Sequence, residues 1–249
     1  MCKCRKLLIG IAVALFWLSV WAIGAFAANR SLLMPLPYPW DVAVSLWHLL
    51  GNGAFWADVG ISLLRILIGF IAAAVTGVVL AVLTTRFRLV DTLFAPILSV
   101  IRAVPVASFI FLAFLWIAAD WMPVFISFLM VVPLVWENVR QGILSTDGNL
   151  LEMAQVFRLS RSRRFSQVWL PSVRPYLRAA LTTGFGFAWK SGIAAEIICT
   201  TGHSIGAQIS AAKSTMDYAA VFACTAMVVA LSVSLEYLLR RLIRREVAE

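Results

Sequence analysis

The sequence predicts an all-α polytopic membrane protein with six transmembrane helices, or five if the first is cleaved, with both termini inside. Three observations predict it. The 249-residue chain is 62% hydrophobic and only 13% charged, with a mean hydropathy of +0.92. Apolar runs of about 18 residues or more recur, and a bilayer core of about 30 Å takes about 20 helical residues to cross. Basic residues gather on alternate segments between the runs, as they do on the inner loops of multi-span proteins. The alternating ~10-residue segments of a spanning barrel are absent.

Residues 1–6 form a short basic head, and Leu7–Ala28 is the first apolar run. Ala25-Phe26-Ala27 imitates a signal-peptidase site, but a core of about 18 residues exceeds the usual apolar region of a signal peptide. A retained span is the preferred reading. Asn29–Asp58 carries Pro35, Pro37 and Pro39 together with Tyr38, Trp40, Trp47 and Trp56. It reads as an external segment, partly an interfacial helix with its tryptophans at headgroup level. Residues 1–58 are thus an N-terminal unit, and 59–249 the main transmembrane domain.

Val59–Thr85 is the second span. Gly69, Ala73 and Gly77 lie four apart on one helix face, and small residues at that spacing let helices approach closely in lipid. Arg65, about two turns from the outer end, can snorkel to the interface. Leu89–Ala119 contains Pro96, Arg102 and Pro105, which predicts a broken element: an interfacial helix, then the third span from about Pro105. Asp120–Pro123 is a tight outer turn, and Val124–Gln141 the fourth span. Tyr176–Thr200 is the fifth, holding Trp189, Lys190 and Glu196. Thr201–Asp217 is a polar loop, and Tyr218–Leu239 the sixth span.

With the N-terminus inside, sixteen of the 21 Lys and Arg fall on inner segments, two (Arg30 and Lys213) on outer ones, and Arg65, Arg102 and Lys190 at membrane depth. This bias sets the orientation and explains the net charge of +9 without nucleic acid. Cys2 and Cys4 lie in the basic head, and Cys199 and Cys224 in apolar surroundings where a thiol acts as a small hydrophobe. No metal site or disulfide is expected.

The longest polar interruption, Glu152–Pro171, falls inside by the same charge count. Leu150–Leu159 has helical character, a basic turn with Arg161, Arg163 and Arg164 follows, and Leu170-Pro171 closes a second short apolar stretch. Asn149 or Asp147 can cap the helix, and Glu152 suits its first turn. Val156 and Leu159 can face a partner or the protein's own inner ends. A short amphipathic helix in a partner's groove can transmit movement. Attachment to anionic headgroups is the competing reading.

Glu152-Met153-Ala154 followed at fixed distance by Leu170-Pro171 resembles the coupling motif of bacterial ABC importer permeases. Met153 stands where that pattern has its first alanine, and Arg158 where it has glycine. Pro35–Pro39, Ser62-Leu63-x-Arg65 with Gly69-Phe70, Ile101-Arg102-x-x-Pro105, and Trp189 with Ala194-Ala195-Glu196 are similar to the nitrate/sulfonate/taurine/bicarbonate group. The resemblance covers most of the chain beyond the first span. It implies an ABC importer transmembrane domain over 59–249 with a coupling loop at 146–175. It also implies an ATPase-coupling set of Glu152, Met153, Ala154, Val156, Arg158, Leu159, Leu170 and Pro171.

The implied partners are two ATP-binding-cassette ATPases, an external solute-binding protein, a second permease copy and the bilayer, in the bacterial cytoplasmic membrane. The chain has no Gly-x4-Gly-Lys-Ser/Thr loop, so ATP and Mg²⁺ are expected on the ATPase and no cofactor on this chain.

Intramembrane charges are costly unless they meet water or a partner. Arg102 and Lys190 are therefore the leading substrate-path residues, joined by Pro105, Trp189 and Glu196. They would favour a small anion or a sulfonate- or taurine-like solute. The alternative is that these charges pair with Glu137, Glu196 or carbonyls purely for packing. Lys190 and Glu196, six apart, point about 240° from each other round a helix. His48 and His203 have no acid or nucleophile beside them in sequence, which disfavours an enzyme. A self-sufficient secondary transporter or channel is the other reading. It predicts paired repeats and mid-span carboxylates, which the sequence lacks.

Overall fold

A computed structural model describes residues 2–30 and 35–245, with side chains for 9–30 and 35–241. The side chains of Cys2, Cys4, Lys3, Arg5, Lys6, Arg244 and Arg245 lie outside the described residues. The described residues form eleven α-helices joined by turns, one 3-10 turn and one π turn, and no strand.

The first helix, α1 (Cys2–Arg30), is exposed over nearly all of Ile9–Arg30. It touches the body through Trp21, whose ring stacks on Phe222 at 5.8 Å and whose indole N–H donates to the Pro37 carbonyl at 3.1 Å. The Asn29 side chain binds both backbone groups of Leu36. Helix α2 (Pro39–Gly51) starts with Pro39 in its first turn, where a missing N–H costs nothing. It lies on the last helix, with Trp47 76% exposed, as an interfacial helix should.

Asn52 ends α2 and caps α3 (Gly53–Arg86), accepting from the Ala54 N–H. Helix α3 thus begins six residues before the second span expected from hydropathy (Val59), because the cap rather than the apolar run sets the start.

The third region breaks at Pro105, while Pro96 lies inside the first helix of the pair. Helix α4 (Arg88–Ala103) and α5 (Val106–Ala113) are bent by 106° at Val104-Pro105. Val104 is extended (φ −82°, ψ 134°), as a residue before proline prefers. The expectation of a full span from Pro105 is corrected: α5 has 8 residues, about 12 Å of helix, too short to cross alone.

Helix α6 (Met122–Leu144) follows a single 3-10 turn at Ala119–Trp121. Next come α7 (Gly148–Val156), α8 (Arg161–Arg164), the π turn Phe165–Trp169 and α9 (Leu170–Cys199). The stretch 201–217, expected to be loop, contains helix α10 (Ile205–Ser214). Ser204 starts it by accepting from the Ala207 N–H. Helix α11 (Tyr218–Arg245) is the last described element.

Ile9–Arg30, Gly53–Arg86, Ala119–Leu144 and Tyr218–Arg241 are long and apolar enough to cross a membrane, and the bent α4–α5 pair would make a fifth span. The expected fifth span lies in α9. That helix has 30 residues, about 45 Å, but carries Arg174, Arg178, Lys190 and Glu196 and is less uniformly apolar.

The core is the sandwich of α6 between α3 and α9. Gly69, Ala73 and Gly77 are all buried and face α6. A Cβ on Gly77 would lie 2.7 Å from the Val135 Cβ, and one on Gly69 would strike the Val124 carbonyl. From α9, Gly184 meets Val131, and a Cβ on Gly192 would lie 2.5 Å from Ile66. Polar bonds cross the same interfaces. Trp136 donates to Thr84 Oγ1 at 2.9 Å, Ser127 to the Ala188 carbonyl at 3.1 Å, and Trp189 to the Val228 carbonyl at 3.2 Å. Cys199 and Cys224 are free and buried.

Gly77→Leu is expected to destabilise the folded chain by about 1–3 kcal/mol through overpacking. Gly60→Ala, where nothing lies within 4 Å of the added methyl, should leave stability unchanged or slightly raised. Thermal unfolding in detergent followed by size-exclusion chromatography distinguishes the two.

Candidate functional site: the α7–α9 corner and the charges of the spans

Helix α7 follows α6 after a three-residue turn, 145–147. Of the two caps the sequence offers, Asp147 acts, accepting from the Asn149 N–H at 2.8 Å. Ala154 is its buried residue, only 1% exposed, and the helix meets the π turn. The opposite side is open: Met153 is 50% exposed, Val156 79% and Phe157 71%. Glu152 is exposed as well and Leu159 half-buried. Sequence reasoning missed Phe157 and the exposed Leu150, although Leu150, Met153 and Phe157 have the i, i+3, i+7 spacing of one helical stripe.

The C-terminus of α7 resolves the odd residue in the motif. The Leu159 N–H donates to the Ala154 carbonyl at 3.0 Å, and the Arg158 N–H to the Gln155 carbonyl at 2.9 Å. This six-to-one and five-to-two pair is a Schellman ending. Arg158 sits at its left-handed position with φ 49°. Glycine takes that conformation freely, whereas an L side chain costs about 1–2 kcal/mol. The turn geometry that a glycine would provide is therefore kept with an arginine in place.

Beyond it, Ser160 caps α8 by accepting from the Arg163 N–H. Leu170-Pro171 does not stop the helical run, contrary to the sequence expectation. The backbone widens into a π turn, with the Leu170 N–H reaching the Phe165 carbonyl, and Pro171 lies in the first turn of α9. A five-residue turn accommodates a ring that would clash in a regular α-turn. Leu170 is 45% exposed and Pro171 exposed.

The five path candidates separate into two groups. Trp189 and Glu196 are buried, at 1% and 0% exposure. Trp189 packs α9 onto α11. Glu196 tethers the opposite end of the molecule: its Oε2 accepts from Ser62 Oγ at 2.8 Å and from the Gly206 N–H at 3.2 Å, and Ser62 in turn accepts from the Ile205 N–H. A Cβ on Gly206 would collide with the Glu196 side chain and backbone. These two residues are packing and anchoring groups rather than lining ones, because the register of α9 turns them into the core.

Lys190, by contrast, is exposed, and no hydrogen bond or ion pair reaches its ammonium among the described residues. It continues an exposed stripe with Thr183, Phe187 and Ile198. It lies about 13 Å along the helix from Cys199. Arg102 and Pro105 are exposed at the α4–α5 bend, and the Arg102 guanidinium stands 3.4 Å from Glu137 Oε2.

Arg65 does not simply snorkel. It donates to Asp120 Oδ1 at 2.7 Å and to the His203 carbonyl at 3.2 Å, and so joins α3 to the turns before α6 and α10. Asp58 accepts from Gln208 at 2.7 Å and lies 3.5 Å from His203 Nδ1. The fold thus places beside His203 an acid that it lacks in sequence.

Residues 65–247 match the family described as "Binding-protein-dependent transport system inner membrane component". The chain belongs to this family of ABC transporter permeases. It is 26% identical over 239 residues to a probable ABC transporter permease protein of Brucella melitensis, covering 96% of this chain and 97% of the relative. It is 29% identical over 206 residues to the nitrate import permease protein NrtB of Leptolyngbya laminosa (78% and 72% coverage). It is 26% identical over 249 residues to the taurine transport system permease protein TauC of Escherichia coli (97% and 89%). A solved structure, "Crystal structure of an amino acid ABC transporter with histidines", matches with a TM-score of 0.65 at 17% identity, covering 77% of this chain and 94% of that one. That likeness shows the fold. The permease is thus a multi-pass transporter subunit of the group that includes nitrate, sulfonate and taurine permeases.

Ser62→Ala removes one donor to Glu196 and the acceptor for Ile205, and is expected to cost the permease about 1–3 kcal/mol. Gly206→Ala should cost more, because the loop cannot seat. In both variants maleimide labelling of the buried Cys199 should rise, read by mass shift on the folded protein.

Proposed function

We propose that this chain is the membrane-spanning permease subunit of an ATP-driven importer in a bacterial cytoplasmic membrane, with six spans and both termini inside. One observation carries the reading: in a chain of this family, an ordered helix after α6 offers Met153, Val156 and Phe157 to something outside the chain. An exposed apolar stripe of this kind is how a helix docks in a partner's groove. The partner is a cytosolic ATP-binding-cassette ATPase, which would bind ATP and Mg²⁺. Two permease copies and two ATPases make the transporter, and an external protein delivers the solute.

The geometry supports a mechanical role for the α7–α9 corner. Helix α7 buries Ala154 and meets the π turn, which runs directly into α9, and α9 packs on α6 along the glycine contacts. A push on α7 is therefore delivered to two spans rather than absorbed by a loose loop. At the far end, Glu196 and Arg65 tie α9 and α3 to the α10 loop, so the same movement reaches the outer turns.

Lys190 supports a small anion, or a sulfonate- or taurine-like compound, as solute. An ammonium about 13 Å inside a helix end is too costly to face lipid. A two-fold partner covering the Thr183–Ile198 stripe would turn that face into a shared wet path. Arg102, held near Glu137, provides a second cationic group on the way.

In proteoliposomes containing the permease, its ATPase and the binding protein, Val156→Asp combined with Phe157→Asp is expected to lower uptake by at least about tenfold through loss of docking. The basal ATP hydrolysis of the free ATPase should be untouched. Lys190→Met should lower uptake of an anionic solute by about tenfold while the ATPase still co-purifies. Uptake by the permease alone, without ATPase, would overturn the reading.

A further inference from the structure

The α7–α8 corner joins the apolar stripe of Met153, Val156 and Phe157 to three exposed arginines, Arg158, Arg161 and Arg163. None of the three guanidiniums has a partner among the described residues, and the acids nearest in sequence are not used for them: Asp147 caps α7, and Glu152 stands exposed in its first turns. Arg158 is the telling member. It occupies the left-handed position of the Schellman ending, where glycine would give the same backbone at lower cost. Thr200 and Met216 also hold left-handed positions, at the ends of α9 and α10, so what distinguishes Arg158 is its exposed, unpartnered guanidinium beside the apolar stripe, a group free to make a contact outside the chain.

The length of the helix that carries the corner favours protein over lipid as that contact. The apolar part of α9, 179–199, is about 21 residues and so ~31 Å long, which matches the hydrocarbon core and sets Arg178 at its boundary. From Arg178 back to Arg164 the helical path runs without interruption for about 14 residues, or ~21 Å. The headgroup layer adds roughly 5–8 Å on each side. Arg164 thus lies about 21 Å along the helix from Arg178, and the three arginines stand beside an exposed apolar stripe.

We propose that Arg158, with Arg161 and Arg163, is a charge clamp that selects an ATPase subunit whose groove for α7 is rimmed by acidic side chains. The inference rests on the importer reading above and deepens it: the apolar stripe provides the fit, and the clamp decides which ATPase fits. Charge pairs at a docking rim steer association and reject partners of the wrong sign. The motif alone would allow any coupling helix to meet any ATPase of the class, and the clamp narrows that choice.

The test measures binding of the ATPase subunit that co-purifies with the wild-type chain. The permease is held in nanodiscs of neutral phosphatidylcholine and, in parallel, of anionic phosphatidylglycerol, at low and high salt. Wild-type binding should weaken as salt rises, equally in both lipids. Arg158→Glu should weaken it by about tenfold at low salt, and Arg158→Lys should retain most of it. Arg158→Gly should weaken binding while thermal stability stays level or rises, since the left-handed strain is relieved; this keeps the test independent of misfolding. Equal affinity for wild type, Arg158→Gly and Arg158→Glu would overturn the clamp and leave the importer reading standing. An effect confined to phosphatidylglycerol discs would also overturn it, assigning the arginines to lipid. If the wild-type chain captures no ATP-binding-cassette subunit from its native membranes, the importer reading falls and the clamp with it.

Discussion

The close approach of α3, α6 and α9 is the constraint on which the rest of the structure depends. Lipid tails are as apolar as leucine, so no hydrophobic force drives these helices together. What holds them is dense contact, and that contact exists because glycines remove the atoms that would separate the backbones. Gly69 and Gly77 let α3 settle on Val124 and Val135, and Gly184 and Gly192 do the same for α9 against Val131 and Ile66. With backbones this near, side-chain bonds such as Trp136 to Thr84 and Ser127 to the Ala188 carbonyl can reach across. Interhelical bonds of this kind contribute about 0.6 kcal/mol on average within a bilayer, so packing carries most of the stability and the bonds set register.

Register in turn decides what each charge does. Lys190 and Glu196 belong to one helix, yet one is exposed and the other has no exposed surface. Glu196 Oε2 accepts from Ser62 and the Gly206 N–H while its Oε1 is buried without a partner among the described residues, and the site requires a glycine because a Cβ on Gly206 would collide with Glu196. Arg65 and Asp120 complete a polar clasp at that end. The far end has the opposite character: an unclasped helix with apolar and basic groups turned away from the body. The molecule is therefore tied by polar contacts at one end and exposed at the other, with the close-packed α6–α9 pair between them.

The π turn before Pro171 and the left-handed Arg158 bracket the docking corner. Both are departures from regular helix, and each has a local cause: a proline ring in one case, and a Schellman ending without glycine in the other. Departures of this type are tolerated when the surroundings hold them in place. Here Ala154 is buried, α7 meets the π turn and Asp147 caps the helix start, so α7 is fixed at both ends while its outer stripe stays free.

Much of this was legible in the residues themselves. Composition and run length determine a helical membrane protein, and the Lys and Arg bias divides its segments into two sets. Pro105 marks a break, since a residue before proline favours extended backbone, although Pro96, Pro133 and Pro175 lie inside helices. The four-residue spacing of Gly69, Ala73 and Gly77 determines a contact face. The 240° between Lys190 and Glu196 separates their roles without saying which is which. That choice belongs to tertiary structure, because periodicity fixes angles within a helix but not which angle meets a neighbour. The same limit hid the anchoring of Arg65 and the burial of Trp189, both set by contacts with residues distant in sequence. It hid α10 as well, whose stability comes from the Ser204 cap and the floor provided by α9 more than from its own polar residues. Only the folded chain shows that Arg158 adopts the glycine conformation, since that turn is closed by hydrogen bonds to α7 rather than by any preference of arginine.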